Sequence, residues 1–314
     1  MFHYVRPLHL RWSPSHSVLD LARFSAILDQ LRLTHRIVTS SELAEMLRTG
    51  EMSPVGSKPL VWLTFDDGYS DCMRFVAPEL LKRNMRASIF VPTQSIWERR
   101  LLEVNAVQYL LALSSSAEDL VMRLKSIWLR KDFRTTRGES FDAAFSRLAQ
   151  ANDWNDQYSE FARKVLQRDL PRRNRTAAIA ELLEGLGRGD LRELADDLYL
   201  RPEELRELEE MGMEVGSHGH EHVWLSELDP DSQRADLEVS LALLESAGLK
   251  KARLAMSYPF SSYDSATLSH VKALGVSFGL VNDGRAVAHL QGGGPWLEVS
   301  RVDVKYVEQV FALP

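Results

Sequence analysis

The sequence has almost no cysteine, since Cys72 is the only one among 314 residues. A disulfide within the chain is therefore excluded, and so is a zinc site built from several cysteine thiolates. So sparing a use of cysteine is typical of proteins in a reducing compartment.

The sequence also lacks long hydrophobic runs. No apolar stretch approaches the roughly 20 residues that a helix needs to cross a bilayer. The first ten residues contain His3, Arg6 and Pro7, whereas a secretory signal peptide needs a continuous apolar centre. We therefore expect a cytoplasmic protein whose substrate is present in the cytoplasm.

An excess of basic charge is missing as well. The chain has 44 acidic and 38 basic side chains, which gives a formal net charge of −6. This balance gives no electrostatic reason to expect a nucleic acid as partner. The arginines at 172, 173 and 175 are followed by acidic residues, which is typical of a solvated helix surface.

What the chain does have is an alternation of strand-like and helix-like segments. Short apolar runs of strand length recur, and helical patterns lie between several of them. The predicted helices are Leu19–Leu31, Asp71–Leu81, Asp231–Leu244 and Ser265–Leu274, the last two after good capping residues. This alternation predicts an α/β protein with a largely parallel sheet or barrel. The predicted strands are Phe2–Val5, Pro59–Thr64, Ala87–Val91, Met213–Gly216, Ala252–Tyr258, Val276–Val281 and Leu297–Val304.

One region interrupts the alternation. Residues 98–211 are rich in Leu, Arg, Glu and Ala and contain only helical patterns. We interpret this region as an all-helical insertion into an α/β domain formed by residues 1–97 and 212–314. An independently folding domain is the alternative. The next strand follows without a linker-like stretch, which favours an insertion.

The first motif with chemical potential is Thr64-Phe65-Asp66-Asp67-Gly68, directly after an apolar run. Two adjacent carboxylates at the end of a strand repel each other unless a cation or hydrogen bonds stabilise them. A metal could bind one carboxylate and leave the other to accept a proton. A polar turn that caps the following helix is the structural alternative.

The second motif is Gly216-Ser217-His218-Gly219-His220-Glu221-His222, which also follows a predicted strand. Neutral imidazole is a good ligand for zinc and similar divalent ions, and the four-residue spacing of His218 and His222 lets both face one ion. A zinc protease would need His-Glu-x-x-His on a helix, so that alternative is weak. Together, one carboxylate and two imidazoles form the open ligand set of a catalytic metal site.

In order and residue types, the two motifs resemble those of the polysaccharide deacetylases with a NodB homology domain. The resemblance implies a distorted (β/α)7-type barrel. It also implies that Asp66 is the catalytic base and that Asp67, His218 and His222 hold one divalent metal. Zn²⁺ is the first expectation, with Ni²⁺, Co²⁺ and Fe²⁺ as alternatives. His220 occupies a variable position of the motif and is expected to be a loop residue or a neighbour of the ligands.

A third segment, Ser257-Tyr258-Pro259-Phe260-Ser261, is similar to the family's Tyr-Pro-Tyr-Gly variant of its third motif. The resemblance implies that the Phe260 N–H helps to stabilise the oxyanion and that Tyr258 lines the substrate site. Ser257 stands where the commoner motif has an arginine that orients the base, and Ser261 replaces a glycine. Tyr258 and Phe260 could equally be core aromatics. Tyr69, beside the first motif, is a further predicted substrate-binding residue.

The two ends of the chain complete the resemblance. Phe2-His3-Tyr4-Val5 is similar to the opening of a permuted branch of the family, which implies that His3 protonates the leaving amine. A flexible terminal histidine is the alternative. Val299-Ser300-Arg301-Val302-Asp303-Val304 is similar to the family's Pro-Arg-x-x-Val strand, which makes Arg301 the candidate for orienting Asp66. A surface ion pair is the alternative for Arg301.

The stretch Gly212–His222 is most similar to a subgroup associated with bacterial surface-polysaccharide (lipopolysaccharide or O-antigen) biosynthesis. We therefore predict a metal-dependent hydrolase that removes an N-acyl group, N-acetyl first, from an amino sugar, a nucleotide sugar or a lipid-linked sugar. The alternatives are a deformylase or another amide hydrolase on this fold, and an inactive carbohydrate-binding homologue. The insertion could cover the site, mediate a homodimer or do both.

Overall fold

The computed structural model describes residues 1–8, 18–50, 58–152, 155–187, 191–284, 290 and 294–307. The chain divides into two compact units. The first holds the described residues of Met1–Arg11, Val18–Arg100 and Ala195–Pro314, and the second holds those of Leu101–Leu194. The predicted insertion boundaries, 98 and 211, stay predictions.

The centre of the first unit is a six-stranded parallel sheet with the order β10-β9-β8-β7-β6-β5. Two smaller parallel pairs, β1 with β2 and β3 with β4, accompany it. The strands are β1 Tyr4–Arg6, β2 Val18–Asp20, β3 Arg36–Val38, β4 Leu60–Trp62, β5 Thr64–Phe65, β6 Ser88–Val91, β7 Glu214–Ser217, β8 Ala255–Ser257, β9 Phe278–Val281 and β10 Trp296–Ser300.

The N-terminal segment lies between the two edges of this sheet. On one side, Phe2 N donates to Thr64 O (2.8 Å) and Asp66 N donates to Phe2 O (3.0 Å). On the other side, Val304 N donates to Met1 O (3.0 Å), just beyond β10. Because this segment is hydrogen-bonded on both sides, it acts as a seventh strand, and the curled sheet forms a barrel. The predicted fold class, a distorted (β/α)7-type barrel with a helical region, is confirmed.

Thirteen α-helices lie in the described part of the chain. They are α1 Leu21–Thr34, α2 Ser40–Thr49, α3 Ala77–Lys82, α4 Thr93–Trp97, α5 Glu103–Leu113, α6 Ala117–Arg130, α7 Phe141–Leu148, α8 Gln157–Lys164, α9 Arg172–Gly185, α10 Leu191–Leu198, α11 Pro202–Glu210, α12 Pro230–Ser246 and α13 Ser265–Ala273. None of them is long and apolar enough to cross a bilayer.

Side-chain caps explain where several helices begin. Asp229 accepts hydrogen bonds from the first turn of α12, and Asp264 does the same for α13. Such caps satisfy N–H groups that have no partner within the helix. Both helices lie close to their predicted ranges, residues 231–244 and 265–274.

Two elements differ from the predicted ones. The strand predicted at Pro59–Thr64 is split at Leu63, so that β4 pairs with β3 while β5 joins the barrel. Local sequence cannot separate two short strands that pair with different partners. The helix predicted at Asp71–Leu81 begins with a π-helical turn, Cys72–Val76, before α3.

The described residues of the second unit form helices joined by turns and loops, with no strand among them. It contains α5 to α9, residues 191–194 of α10 and a π-helical turn, Val165–Asp169. Edge-to-face aromatic contacts form part of its core: Trp128 lies 5.5 Å from Phe141, and Phe141 lies 5.2 Å from Phe161. A buried arginine, Arg175, donates to Glu103 (2.9 Å). Helix α11, which lies inside the predicted range of the insertion, belongs to the first unit.

Candidate active site

The motif residues lie at the carboxyl ends of the barrel strands. Asp66 and Asp67 follow β5, His218 follows β7, and Arg301 follows β10. Parallel β/α barrels place their functional groups at this end, because all carboxyl ends meet there. The fold therefore brings together groups from three strands that are up to 235 residues apart in sequence.

Asp67, His218 and His222 converge on one point. Asp67 Oδ1 lies 3.5 Å from His218 Nε2 and 3.2 Å from His222 Nε2. One potential ligand atom from each of the three residues lies within 4.8 Å of the others. All three side chains are buried, with exposed fractions of 4 to 8%.

Two of these three residues have left-handed backbone conformations. The φ angles are 71° at Asp67 and 53° at His222, where glycine would be the usual residue. Strain of this kind costs on the order of 1–3 kcal/mol per residue and persists where the surrounding structure enforces it. The backbone is therefore held in a conformation that aims both side chains at the shared point.

Hydrogen bonding fixes the tautomer of His218. Its Nδ1 lies 2.7 Å from the Ser257 carbonyl oxygen. Because a carbonyl can only accept, Nδ1 carries a proton, which leaves Nε2, the nitrogen nearest Asp67, as the atom that could bind a metal. Metal-binding histidines usually have such a second partner.

The electrostatics of the three residues suit a cation. Burial alone would raise the pKa of Asp67, but hydrogen bonds from His218 and His222 hold it well below its usual value. Burial lowers the pKa of His222, which favours the neutral imidazole that binds metals. One carboxylate and two imidazole nitrogens form a ligand set that fits a divalent ion with open positions.

Asp66 lies beside this set and has a different partner. Arg301 donates two parallel hydrogen bonds to it, Nη1 to Oδ1 (2.9 Å) and Nη2 to Oδ2 (2.8 Å). Asp66 Oδ2 is 4.0 Å from His218 Nε2. Burial opposes ionisation of Asp66, but the charges of Arg301 and His218 lower its pKa below the usual range. Asp66 is therefore a carboxylate at neutral pH.

Ser257 takes part in the same contact. Its Oγ donates to Asp66 Oδ2 (3.1 Å) and accepts from Arg301 Nη2 (2.8 Å). The serine at this motif position was expected to remove a partner of the base. In the structure, the serine and Arg301 together hold Asp66.

His3 is half-buried at the same end of the barrel. It lies near enough to Asp66 and Asp67 for a positive charge on its ring to lower the pKa of both carboxyls. The fold therefore brings the predicted acid close enough to both carboxylates to interact with them.

Phe260 lies against the metal-ligand set. Its ring is 4.7 Å from the ring of His222 and stacks on Trp224 at 4.5 Å. Phe260 and Ser261 both have left-handed φ angles, 56° and 53°. The usual glycine of this motif would adopt that conformation without strain.

The two predicted substrate-binding tyrosines are both fully buried. The Tyr69 hydroxyl donates to Asp67 Oδ2 (2.7 Å), on the side opposite the oxygen that faces the histidines. Tyr258 packs in the core, and its hydroxyl donates to Leu297 O (3.0 Å). The structure thus places Tyr69 behind Asp67, a candidate metal ligand, and Tyr258 among core aromatics. Their contact with substrate stays a prediction.

Sequence reasoning missed the residues that hold the histidine loop. Asp236, on α12, accepts from His220 N and Glu221 N, both at 2.9 Å. Ser217 Oγ accepts from Gly219 N (3.0 Å) and contacts Ser240 Oγ (2.7 Å). No motif marks Asp236 or Ser240. A buried polar face on α12 would have been the only signal.

His220 faces away from the ligand set, since its Nδ1 lies 2.9 Å from Thr93 Oγ1. Its Nε2 lies 3.6 Å from Glu98 Oε1. This placement agrees with the expectation that His220 is a loop residue beside the ligands.

Comparison with known proteins places this site in context. The family model described as "Polysaccharide deacetylase" matches residues 172–279, a range that contains His218 and His222 but neither aspartate. No curated protein matches the chain in sequence.

Solved structures match over nearly the whole length. IcaB from Ammonifex degensii is 17% identical, with a TM-score of 0.55 over 99% of this chain and 96% of that one. The Streptococcus pyogenes deacetylase PplD, in complex with acetate, is 16% identical, with a TM-score of 0.54 over 96% and 91%. A de-N-acetylase from Aggregatibacter actinomycetemcomitans is 12% identical, with a TM-score of 0.54 over 98% and 97%. The resemblance to the polysaccharide deacetylases that the two motifs indicated is confirmed by the family match and by the shared fold.

Proposed function

We propose that the protein is a metal-dependent hydrolase that removes an N-acyl group, most readily N-acetyl, from an amino sugar. The observation that carries this proposal is the convergence of Asp67, His218 and His222, whose ligand atoms lie within 4.8 Å of one another, beside the ionised Asp66. The names of two similar structures, a deacetylase and a de-N-acetylase, support the same reaction class.

Asp67 Oδ1, His218 Nε2 and His222 Nε2 would hold the ion. Zn²⁺ is our first choice, and Ni²⁺, Co²⁺ and Fe²⁺ suit the same donors. When bound, a divalent ion supplies Lewis-acid chemistry, polarising a carbonyl and lowering the pKa of water to about 7 in favourable cases.

Asp66 is the proposed general base. It is ionised, and the two hydrogen bonds from Arg301 fix the plane of its carboxylate. A base held in this way can accept a proton from a water that attacks the acyl carbonyl without first reorienting. Arg301 and Ser257 are positioning residues in this scheme.

His3 is the proposed acid, and the Phe260 N–H is the proposed donor to the oxyanion. An amine leaves an amide poorly unless its nitrogen is protonated, which is the step assigned to His3. A backbone donor aimed at the developing oxyanion stabilises the transition state by about 3 kcal/mol. Both groups lie at the same end of the barrel as Asp66.

The proposed substrate is a precursor of a surface polysaccharide, either linked to a nucleotide or to a lipid. The proposed compartment is the cytoplasm, with which the free, buried thiol of Cys72 is compatible. Cell fractionation with an antibody to the chain tests the compartment.

The reaction is tested by acyl release from a panel of free N-acetylglucosamine, its uridine diphosphate conjugate, its short oligomers and their N-formyl counterparts. We expect acetate release that chelation abolishes and added Zn²⁺ restores. Formate release alone would favour a deformylase. Binding of the sugars without any release, by protein that has a full complement of metal, would indicate an inactive carbohydrate-binding homologue.

A further inference from the structure

We propose that Arg6 and Asp71 form a positioning pair that holds His3 at the active site. The inference rests on the proposed function, since it concerns the residue assigned as acid. Neither residue belongs to the motifs that identify the site.

The pair is buried and has well-formed geometry. Arg6 Nε donates to Asp71 Oδ2 (2.9 Å), and Arg6 Nη2 lies 2.8 Å from Asp71 Oδ1. Asp71 Oδ2 also accepts from the backbone N–H of Val5 (3.1 Å). The exposed fractions of Arg6 and Asp71 are 6% and 1%. The contact joins β1 to the start of the π-helical turn that follows the aspartate motif.

Asp71 does not cap the helical turn that follows it. It stands immediately before a helical turn, where an aspartate commonly caps the first N–H groups. Here it has helical backbone angles, and its side chain makes no capping hydrogen bond. Its carboxylate is directed at the N-terminal segment instead, 65 residues away in sequence.

The residues on both sides of His3 are tied to the same stretch of chain. Phe2 exchanges backbone hydrogen bonds with Thr64 and Asp66. The Tyr4 ring stacks on the Tyr69 ring at 4.0 Å, and the Tyr69 hydroxyl donates to Asp67. The Arg6–Asp71 pair is the third tie. His3 is thus fixed relative to the segment that carries Asp66 and Asp67.

This arrangement matters because a proton donor must be placed accurately. A displacement of about 1 Å can lower a rate by 10²-fold. Strand β1 has only three residues and pairs with β2 rather than with the barrel sheet. The residues that follow His3 therefore have no strand partner in the barrel sheet. The Arg6–Asp71 ion pair orients them instead.

The test is a double-mutant cycle with His3→Gln, Asp71→Asn and the combined variant. Acetate release is measured from the N-acetyl sugar that the wild-type enzyme cleaves fastest. We expect Asp71→Asn alone to lower kcat by about tenfold or more, a part of the roughly 10²- to 10⁴-fold that a positioned acid contributes. In the His3→Gln background the same change should have almost no further effect, because the residue through which it acts is gone.

A second substrate separates positioning from general damage. The phenolate of an aryl acetate leaves without being protonated, so Asp71→Asn should hardly alter that hydrolysis. Asp197→Asn is the matched control, since Asp197 pairs with Arg74 at 3.2 Å on the exposed surface, and it should leave both reactions unchanged. Arg6→Lys keeps the charge but loses the forked contact, so it serves if Asp71→Asn fails to fold.

Equal losses on the amide and the ester would overturn the inference. So would a full additional loss from Asp71→Asn, or from Arg6→Lys, in the absence of His3. If the aryl ester is not a substrate, the double-mutant cycle on the N-acetyl sugar alone decides whether Asp71 acts through His3. A wild-type enzyme with a bound metal that cleaves no N-acyl sugar would instead overturn the proposed function.

Discussion

Two buried carboxylates lie near opposite ends of strand β7 and have different surroundings. One is Glu214, the first residue of the strand, and the other is Asp67, which follows β5. At the start of β7, the Glu214 carboxylate accepts from the backbone N–H groups of Ser40 (2.8 Å) and Ser41 (3.2 Å). The hydroxyls of Ser40, Ser41 and Ser88 and the ammonium of Lys251 also donate to it. At the other end of the strand, Asp67 faces His218 and His222.

The difference shows that burial of a charge does not by itself identify a functional site. The oxygens of Glu214 are satisfied by neutral donors at the first turn of α2 and by one lysine. Such a carboxylate anchors a helix, and the helix N-terminus stabilises it. The partners of Asp67 are two imidazoles whose own chemistry is metal binding. The partners of a buried carboxylate therefore decide between anchorage and catalysis.

The strongest test of this comparison neutralises one buried carboxylate near each end of β7. Asp66→Asn should lower kcat for acetate release by roughly 10²- to 10⁴-fold, because the proposed base is lost. Metal content, measured by atomic emission, should stay at the wild-type level. Glu214→Gln is the matched control and should retain a kcat near that of the wild type. Equal losses of kcat in both variants would contradict the assignment of catalysis to one end of β7 and of anchorage to the other.

The support of the histidine loop gives a smaller effect. Asp236→Asn should weaken metal binding by about 10- to 100-fold, the range for residues that orient metal ligands. The reason is that Asp236 accepts the N–H groups of His220 and Glu221, between the two ligands. Competition with a chromogenic chelator measures the affinity. Asp231→Asn, an exposed change near the start of the same helix, should leave it unaltered.

The anchoring end should respond in stability rather than in rate. Glu214→Gln should lower the free energy of unfolding by about 1–3 kcal/mol, since several buried donors lose a charged acceptor. Urea unfolding followed by circular dichroism measures this change. Glu45→Gln, on the exposed face of α2, serves as the control and should have little effect. An unchanged midpoint for Glu214→Gln would contradict the proposed anchor.

The pH dependence of that stability loss should be the smallest effect. Burial raises the pKa of Glu214, but hydrogen bonds from Ser40 and Ser41 and the charge of Lys251 bring it below the ordinary 4.5. A depressed carboxyl pKa stabilises the fold above the unfolded-state value, and this contribution is lost as the pH falls through the folded-state value. The difference between wild type and Glu214→Gln should therefore be largest near neutral pH and shrink below pH 4.5. A difference that grows on acidification would have the wrong sign.

The sequence was most informative where a strand end and a chemical motif coincide. The alternation of elements predicted an α/β protein with a largely parallel sheet or barrel, because period and length are local properties, and the resemblance of the motifs narrowed this to a barrel. The three metal-ligand candidates lie together in the structure, since the fold class alone brings carboxyl ends to one edge. The roles of these residues stay predictions.

Contacts between distant segments could not be predicted in the same way. Asp71 stands where a helix cap is expected, and only the folded chain shows that it meets Arg6. The split of Pro59–Thr64 into β4 and β5 likewise depends on which strands lie beside each half. The left-handed φ of Phe260 has no local signal, because that position carries no glycine.

The central claim, that three side chains share one metal ion, is tested most directly by anomalous diffraction from crystals of the metal-loaded protein at the absorption edge of the ion. We predict a single peak bound to Asp67, His218 Nε2 and His222 Nε2, at about 2.0–2.2 Å from each ligand atom for zinc. A peak at any other group of residues would contradict the account, and so would three well-ordered side chains with no peak between them at saturating metal.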